Sequence, residues 1–138
     1  MTPKDAESTL LIIKPDGVRR GLIGEVLRRV EEAGLTIDEL RMERIDRATA
    51  EEQYGEHREK PFFAELVEFI TGGPVVVAQV TGDNAITRWR ELMGPTDPAD
   101  APAGTIRGDF ASVITENVVH GSDSPESAAR ELKLFFGE

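Results

Sequence analysis

The chain has 138 residues, of which 39% are hydrophobic and 30% are charged, an ordinary composition for a globular protein. A chain of this length is predicted to form one domain around a single core, and its apolar content excludes intrinsic disorder. Sixteen Lys and Arg against 26 Asp and Glu give a net charge of −10. This charge argues against nucleic acid as the main partner, because a phosphate backbone attracts clustered basic residues.

The sequence contains no cysteine, so disulfide frameworks, thiolate zinc sites and thiol nucleophiles are excluded. Residues 1–8 are polar and lack the apolar stretch of a signal peptide. No later run reaches the length needed to span a membrane. We therefore expect a cytoplasmic protein with no membrane partner.

The first third of the chain predicts a strand, a helix and a second strand. Residues 9–14 (TLLIIK) form a continuous apolar run typical of a buried central strand, and residues 15–17 (PDG) predict a turn after it. Apolar residues recur at helical spacing over residues 22–33, which predicts an amphipathic helix that ends at Gly34. Residues 35–45 alternate loosely between apolar and polar, which predicts the second strand.

Two helices are expected next. The first covers residues 49–57 and would be capped by Asp46 or Thr49, whose side chains can accept a hydrogen bond from the first turn. Pro61 can open the second, which runs to Ile70, because proline suits the first position of a helix.

A strand, a helix and a long loop follow. Residues 75–80 (VVVAQV) favour a strand, and the next helix would be capped by Asp83 or Asn84 and end at Gly94. Its apolar positions are Ile86, Trp89, Leu92 and Met93. Residues 95–108 contain three Pro and two Gly without periodicity, which predicts a loop, and loops of this length are usually functional.

The chain ends with a strand segment over residues 113–120 and a helix that begins at Ser124 and Pro125. The apolar positions predicted to face inward in this helix are Ala128, Ala129, Leu132 and Phe135. The order of elements predicts an α+β fold, a βαββαβ split sheet with helices packed on one face. A parallel doubly wound sheet is the second interpretation.

The two histidines of the chain lie in different settings. His57 lies in a charged stretch (EHREK) that is typical of a solvated surface. His120 ends an apolar strand and precedes a turn into a helix, which is where reactive groups are often displayed. From spacing alone, His120 could equally be a half-buried imidazole that bonds a backbone carbonyl.

Side chains suited to phosphate are dispersed along the sequence. No G-x-x-x-x-G-K-[ST] or G-x-G-x-x-G run is present, so phosphates would be held by side chains rather than by a glycine-rich backbone cradle. No H-E-x-x-H spacing is present either, so any magnesium would arrive with a nucleotide. The potential phosphate donors are Lys14, Arg90, Thr96 and Arg107.

Four separated motifs give the sequence a family resemblance. Residues 117–124 (NVVHGSDS) resemble the active-site signature of nucleoside diphosphate kinases. Residues 13–18 (IKPDGV) with 20–22 (RGL) are similar to the family's first strand and turn, residues 60–63 (KPFF) to its nucleotide-binding helices, and residues 104–110 (GTIRGDF) to its long loop. The similarity runs from residue 9 to residue 136.

The resemblance implies a ferredoxin-like antiparallel sheet and a two-step exchange in one pocket. A nucleoside triphosphate would donate its γ-phosphate to His120, and a nucleoside diphosphate would then collect it. Glu131 and Ser122 would orient the imidazole, with Tyr54 and Asn117 near the transferred phosphate and the ribose hydroxyl. The nucleotide-binding set implied by the family is Lys14, Phe62, Leu66, Arg90, Thr96, Arg107 and Asn117, and Lys14, Tyr54, Asn117 and Ser122 join His120 and Glu131 in the catalytic set.

Further expectations come from the same resemblance. Phe62 would stack on the base, which gives low base specificity because every base has an aromatic face. Mg²⁺ would be carried on the nucleotide phosphates. Residues 1–138 would form a single nucleoside diphosphate kinase domain that assembles into a homo-oligomer, with a hexamer favoured over a tetramer. The residues beside Tyr54, which are Gln53 and Gly55, predict little.

Two other functions remain as alternatives. A ligand-binding module could hold a nucleotide without turning it over, but such a module has no use for an activated imidazole at His120 paired with Glu131. A nucleic-acid-binding or nuclease role is the second alternative, and the net charge of −10 weighs against it.

Overall fold

A four-stranded antiparallel sheet forms the centre of the protein. The structure, a computed structural model, describes residues 6–55, 58–111 and 117–137. Its strands are β1 (Ala6–Ile13), β2 (Thr36–Glu43), β3 (Val75–Asp83) and β4 (Val119–Gly121), and they lie in the order β2-β3-β1-β4. All three strand pairs are antiparallel. The α+β, ferredoxin-like prediction is confirmed, and the parallel alternative is wrong.

Seven α-helices connect and cover these strands in the described part of the chain. They are α1 (Pro15–Arg19), α2 (Ile23–Glu32), α3 (Arg47–Gln53), α4 (Phe63–Thr71), α5 (Ala85–Met93), α6 (Ile106–Phe110) and α7 (Pro125–Phe136), with a 3₁₀ turn at Pro98–Asp100. None of the described helices combines the length and apolar character needed to cross a membrane.

The sheet has a hydrophobic core on each of its faces, so the prediction that helices pack on one face only is wrong. Alternate residues of a strand point to opposite faces. Accordingly, Leu11 and Ile13 of β1 pack in a cluster with residues of α2 and α5, whereas Leu10 and Ile12 pack in a second cluster with residues of α3, α4 and α7. The continuous apolar run of β1 is the sequence signal of a strand buried on both faces.

The position of β2 at the edge of the sheet explains why its alternation of apolar and polar residues is loose. It pairs with β3 alone among the described strands, and most of its residues are exposed. Leu40 and Met42 are half exposed, at 50% and 57%. A strand that is mostly exposed on both faces, with only Ile37 packed against a core cluster, is under little selection for strict alternation of apolar and polar residues.

Two local predictions at element ends differ from the structure, and a third, which left two capping residues open, is confirmed for one of them. The turn predicted at residues 15–17 is the start of α1, in which Pro15 takes the first position and Asp16 is buried. Asp46, not Thr49, caps α3, because its carboxylate accepts from the Thr49 backbone amide at 2.7 Å. Asn84 precedes α5 with a positive φ of 54° and makes no side-chain cap, and the carboxylate of Glu7 accepts from the Ile86 amide instead.

The elements predicted for the C-terminal third of the chain are confirmed in outline. The predicted loop at residues 95–108 contains the 3₁₀ turn and the first residues of α6, whose cap is Thr105. Of the strand expected over residues 113–120, residues 113–116 lie outside the described residues. Ser124 caps α7 by accepting from the Ser127 amide at 3.1 Å. Ala129 is exposed rather than inward, and the charged Glu131 is buried in its place.

Candidate active site

A cavity of about 450 Å³ opens beside the end of β4, and it collects nearly all of the residues that the sequence singled out. Ser122 is buried behind the cavity wall and does not line it, and His57 lies outside the described residues. The predicted residues that line the cavity are Lys14, Tyr54, Phe62, Leu66, Arg90, Thr96, Arg107, Asn117, His120 and Glu131.

His120 is held by its backbone at the edge of the sheet. It pairs with Ile12 of β1, and its carbonyl accepts a hydrogen bond from the indole nitrogen of Trp89 at 3.1 Å. The next residue must be small, because a Cβ on Gly121 would lie 2.5 Å from Cδ1 of the buried Trp89 ring. The core therefore fixes the backbone of His120, while its side chain stays 19% exposed.

The imidazole of His120 is oriented by a buried carboxylate. Nε2 of His120 lies 3.2 Å from Oε1 of Glu131, and the hydroxyl of Ser122 donates to the same oxygen at 2.7 Å. Burial by itself would raise the pKa of Glu131, but hydrogen bonds from His120, Ser122 and Gln53 outweigh it and hold that pKa below its ordinary value. An ionised acceptor beside Nε2 keeps the proton on this nitrogen, so Nδ1 keeps its lone pair.

This geometry separates the two interpretations of His120 that the sequence left open. Among the described residues, the ring of His120 contacts the Glu131 carboxylate and the Gln53 side-chain amide, and not a backbone carbonyl. A neutral imidazole whose second nitrogen is unprotonated is a competent nucleophile near pH 7. The side chain therefore has the arrangement of a reactive group at the cavity wall.

A buried polar pair is formed by Lys14, which follows β1, and Asn117, which lies just before β4. Nζ of Lys14 donates to Oδ1 of Asn117 at 2.9 Å, and Nδ2 of Asn117 donates to the carbonyl of Thr96 at 3.0 Å. Burial, assisted by the charge of Arg107, lowers the pKa of Lys14 from 10.5 to about 8. A desolvated cation of this kind is stabilised when an anion enters the cavity, because opposite charges attract strongly where little water screens them.

Arg107 is a second buried cation, which links two segments of the chain and also lines the cavity. Its guanidinium donates to the carbonyls of Asn117, Gly94 and Val119 at 3.3, 3.0 and 2.8 Å, so it ties α6 to the histidine segment. Burial, with a contribution from Arg90, lowers its pKa from 12.5 to about 10. A guanidinium has five N–H donors, so donors remain for a ligand in the cavity.

The segment between Asn117 and His120 has a strained backbone. Val118 has a φ of +75°, and the Val119 amide donates to the Asn117 carbonyl at 2.8 Å, which is a γ-turn. This φ is unfavourable for a β-branched residue. The turn is held from both sides, because the Val118 amide donates to Oδ2 of Asp16 at 3.1 Å and its carbonyl accepts from the Lys14 amide at 2.8 Å.

The outer part of the cavity is less buried than its floor. Phe62 is 40% exposed, Leu66 is half-buried, and Arg90 and Thr96 are exposed. Tyr54 lies deeper, and its burial, assisted by the charge of Glu131, raises the pKa of the phenol above its ordinary value. Its hydroxyl therefore stays protonated at neutral pH and can donate a hydrogen bond.

Four lining residues were not predicted from the sequence. Gly121 and Asp123 lie inside the recognised motif at residues 117–124, and Met93 was expected only as a helix apolar position. Gln53 was considered uninformative, yet it is buried and bonds Glu131. Its spacing of three from the buried Ala50 places both on one face of α3, which is a signal that could have identified it.

An imidazole held by a buried carboxylate, beside two desolvated cations, defines the class of protein. Such a cavity combines a nucleophile with positive charge and hydrogen-bond donors, which are the groups that a phosphoryl transition state requires. The site is therefore that of an enzyme acting on phosphate groups, and comparison with known proteins specifies which one.

The nucleoside diphosphate kinase family model matches residues 7–138. The chain is 64% identical to the nucleoside diphosphate kinase of Rubrobacter xylanophilus over 131 residues, which cover 95% of this chain and 98% of that protein. It is 60% identical to the enzyme of Deinococcus radiodurans over 132 residues, 96% of each chain. The chain belongs to the nucleoside diphosphate kinase family, as the sequence motifs indicated, and is an enzyme of phosphotransfer between nucleotides.

Solved structures agree with this assignment. The nucleoside diphosphate kinase of Aquifex aeolicus superimposes with a TM-score of 0.93 at 45% identity, covering 95% of both chains. The halophilic nucleoside diphosphate kinase of Halobacterium salinarum, solved in complex with CDP, gives 0.93 at 46% identity, covering 96% of this chain and 88% of that one.

Proposed function

We propose that this chain transfers the γ-phosphate of a nucleoside triphosphate to a nucleoside diphosphate through a phosphorylated His120. The observation that carries the proposal is the hydrogen bond between Nε2 of His120 and the ionised Glu131, in a cavity lined by buried cations. In the first step, Nδ1 forms a bond to the γ-phosphorus while the bond from that phosphorus to the β,γ-bridging oxygen breaks. Its electron pair leaves with the diphosphate.

Glu131 assists this step by its charge. Once Nδ1 is phosphorylated the ring becomes cationic, and the Nε2 proton stays between the ring and the carboxylate. In the second step, a terminal oxygen of the acceptor diphosphate attacks the same phosphorus and the bond to Nδ1 breaks. One pocket then serves donor and acceptor in turn.

Lys14 and Arg107 would hold the transferred phosphate, with Arg90 and Thr96 at the outer phosphates. Their cationic and hydroxyl donors offset charge that spreads over the phosphoryl oxygens in the transition state. Tyr54 and Asn117 would donate near that phosphate and the ribose hydroxyl. Phe62 and Leu66 would cover the base by stacking and packing, a contact that tolerates every base.

The residues present fit a magnesium ion that is bound mainly by the nucleotide. No group of three metal-ligating side chains occurs among the described residues, while the cavity supplies cationic and neutral donors and one exposed carboxylate, Asp123. When bound, Mg²⁺ would neutralise charge on the phosphates. The side chains would bind the phosphate oxygens, and the phosphate oxygens would in turn bind the metal ion.

Assembly, domain extent and location belong to the same proposal. A homo-oligomer is supported by the apolar Leu40 and Met42 exposed on the edge strand β2, which a second copy can cover. The preference for a hexamer over a tetramer rests on the family resemblance. A single domain over residues 1–138 is supported by two cores that share one sheet. A cytoplasmic location and the lack of a nucleic-acid partner remain predictions.

The proposal is tested by incubating the protein with γ-labelled ATP and magnesium in the absence of an acceptor. We expect an adduct of one phosphate, measured by intact mass, that is labile in acid, stable in base and discharged by GDP. Nucleotide binding without an adduct would instead support the ligand-binding module, because the pocket would then lack its chemistry.

Nucleotide binding should weaken as the pH rises above 8. The pKa of Lys14 in the empty cavity is about 8, and bound phosphate raises it because an anion favours the cation. Above pH 8 binding therefore takes up a proton, and the dissociation constant should increase by at most roughly tenfold for each pH unit. Calorimetric titration with ADP between pH 7.5 and 9.5, in buffers of different ionisation enthalpy, measures both effects. A constant affinity without proton uptake would contradict this role of Lys14.

A further inference from the structure

Gln53 contacts Glu131 and His120 at the candidate active site, although none of the sequence motifs includes it. It is the last residue of α3, and its side chain is buried, with 4% of the residue exposed. Its amide nitrogen Nε2 donates to Oε2 of Glu131 at 2.8 Å. The two carboxylate oxygens of Glu131 are thus held by different donors, Oε1 by Ser122 and His120, and Oε2 by Gln53. The exposed guanidinium of Arg130 lies 3.7 Å from Oε2, too far for a hydrogen bond.

The direction of the Gln53 amide is set by the carboxylate. Oε1 of Gln53 is buried and has no hydrogen-bond partner within the described structure. Reversing the amide would place this oxygen against Oε2 of Glu131, so that two acceptors would face each other at hydrogen-bond distance. Leaving a buried carbonyl unpaired is unfavourable, and the arrangement is stable only because the bond to an ionised carboxylate is stronger than a neutral one.

Gln53 also bears on the protonation of His120. Its Nε2 lies 3.2 Å from Nε2 of His120, the ring nitrogen that faces Glu131. If this ring nitrogen carries the proton, it donates to Glu131 and the approach of Gln53 is merely a contact between two donors. If the proton moves to Nδ1, Gln53 can donate to the ring, but the carboxylate then faces a lone pair.

The geometry points to Gln53 as a positioning residue that fixes the Glu131 carboxylate and thereby keeps the proton of His120 on Nε2, leaving Nδ1 available for phosphorylation. This inference rests on the proposed phosphohistidine mechanism. Without the Gln53 amide, Oε2 keeps the exposed Arg130 guanidinium at 3.7 Å, which does not fix its position by a hydrogen bond. The carboxylate can then rotate away from the ring, and Nδ1–H would become populated. Gln53 then affects the reaction only through Glu131 and His120.

The test replaces Gln53 with methionine, which has a similar shape and no N–H donor. The chain has one other glutamine, Gln79, whose side chain is half-buried and bonds Ser8 at 3.3 Å on β1, so Gln79→Met is the matched control. Glu131→Gln, which removes the charged acceptor, gives the reference for full loss of orientation. Thermal unfolding reports whether each variant folds, and Gln53→Asn, whose amide is one methylene short, replaces Gln53→Met if that variant does not.

The decisive measurement is the ¹⁵N NMR spectrum of the imidazoles, in which protonated and unprotonated ring nitrogens are well separated. Two histidines make the spectrum simple to assign. In the unmodified protein and in Gln79→Met, we expect Nε2 of His120 to be protonated and Nδ1 unprotonated. In Gln53→Met, we expect a mixture of tautomers shifted toward Nδ1–H, in the direction of Glu131→Gln, together with single-turnover phosphorylation that is roughly tenfold slower.

The outcomes separate this inference from the proposed function. If the unmodified protein forms no phosphate adduct, the phosphohistidine mechanism fails whatever Gln53 does. If the adduct forms normally while Gln53→Met shows the unmodified tautomer and rate, the inference about Gln53 is wrong and the mechanism stands. A faster reaction with more Nε2–H in Gln53→Met would also overturn it, because Gln53 would then favour the unreactive tautomer.

Discussion

The His120→Ala variant is expected to lose phosphotransfer by at least about 10⁴-fold while keeping its fold. The substitution removes the nitrogen that attacks phosphorus, and the cations and donors that remain cannot form a covalent intermediate. The side chain lies at the cavity wall and is partly exposed, and Glu131 keeps its donors Ser122 and Gln53. The free energy of unfolding should therefore change by only about 1–2 kcal/mol.

The measurement is steady-state transfer from ATP to a second nucleoside diphosphate, together with the phosphate adduct seen by mass. His57→Ala is the control, because His57 is the only other histidine and lies in a charged stretch of sequence. It is expected to be near neutral. Equal losses in the two variants, or a phosphate adduct on the His120→Ala protein, would show that another residue carries the phosphate.

The Lys14→Met variant should separate activity from stability. We expect transfer to fall by at least about 100-fold, since a buried donor to the transferred phosphate is removed from the cavity. The melting temperature at pH 7 should stay the same or rise. The pKa of Lys14 falls from 10.5 to about 8 on folding, so keeping the ammonium charged in the folded protein costs about 3 kcal/mol, and methionine removes that cost.

The pH dependence of the melting temperature tests whether Lys14→Met stabilises the protein for this reason. Below pH 8, Lys14 is protonated in both the folded and the unfolded chain, so the full free-energy cost of burying its charge is present. Between pH 8 and 10.5 the folded protein releases it first, so the cost shrinks and the stability advantage of Lys14→Met should disappear. Asn117 loses the donor to its Oδ1, which offsets part of the gain. A large drop in melting temperature at pH 7 would contradict this account and indicate a structural role for the Lys14–Asn117 bond.

The sequence predicted the elements of the fold better than their arrangement. The apolar runs of β1 and β3 and the helical spacing in α2 and α5 are local signals, and each of these elements is present. That helices cover both faces was missed, although β1 has no polar alternation that a solvent-exposed face would require. The cap of α5 could not be predicted, because Glu7 reaches it across 79 residues of chain.

The site was predicted largely through motifs and less through physical pattern. Lys14, Arg107 and Asn117 are separated in sequence, and only the tertiary structure makes them neighbours through bonds such as Lys14 to Asn117. Glu131 illustrates the limit of periodicity, because it occupies an inward helix position where an apolar residue is expected and Ala129 was predicted instead. Gln53 shows the reverse problem, since its helical spacing from Ala50 indicates an inward position, but the carboxylate that its amide bonds lies 78 residues further along the chain.

The positive φ of Val118 places backbone strain two residues before the nucleophile, and the buried side chain of the same residue offsets it. A strained backbone of this kind costs about 1–3 kcal/mol, against a net stability of roughly 5–15 kcal/mol for a typical domain. Glycine would relieve the strain, but it would also loosen the chain between Asn117 and the nucleophile. Glycine would also remove a fully buried side chain from the core, at a cost of about 1.5–3 kcal/mol, so neither selection for thermal endurance nor selection for turnover favours glycine at this position.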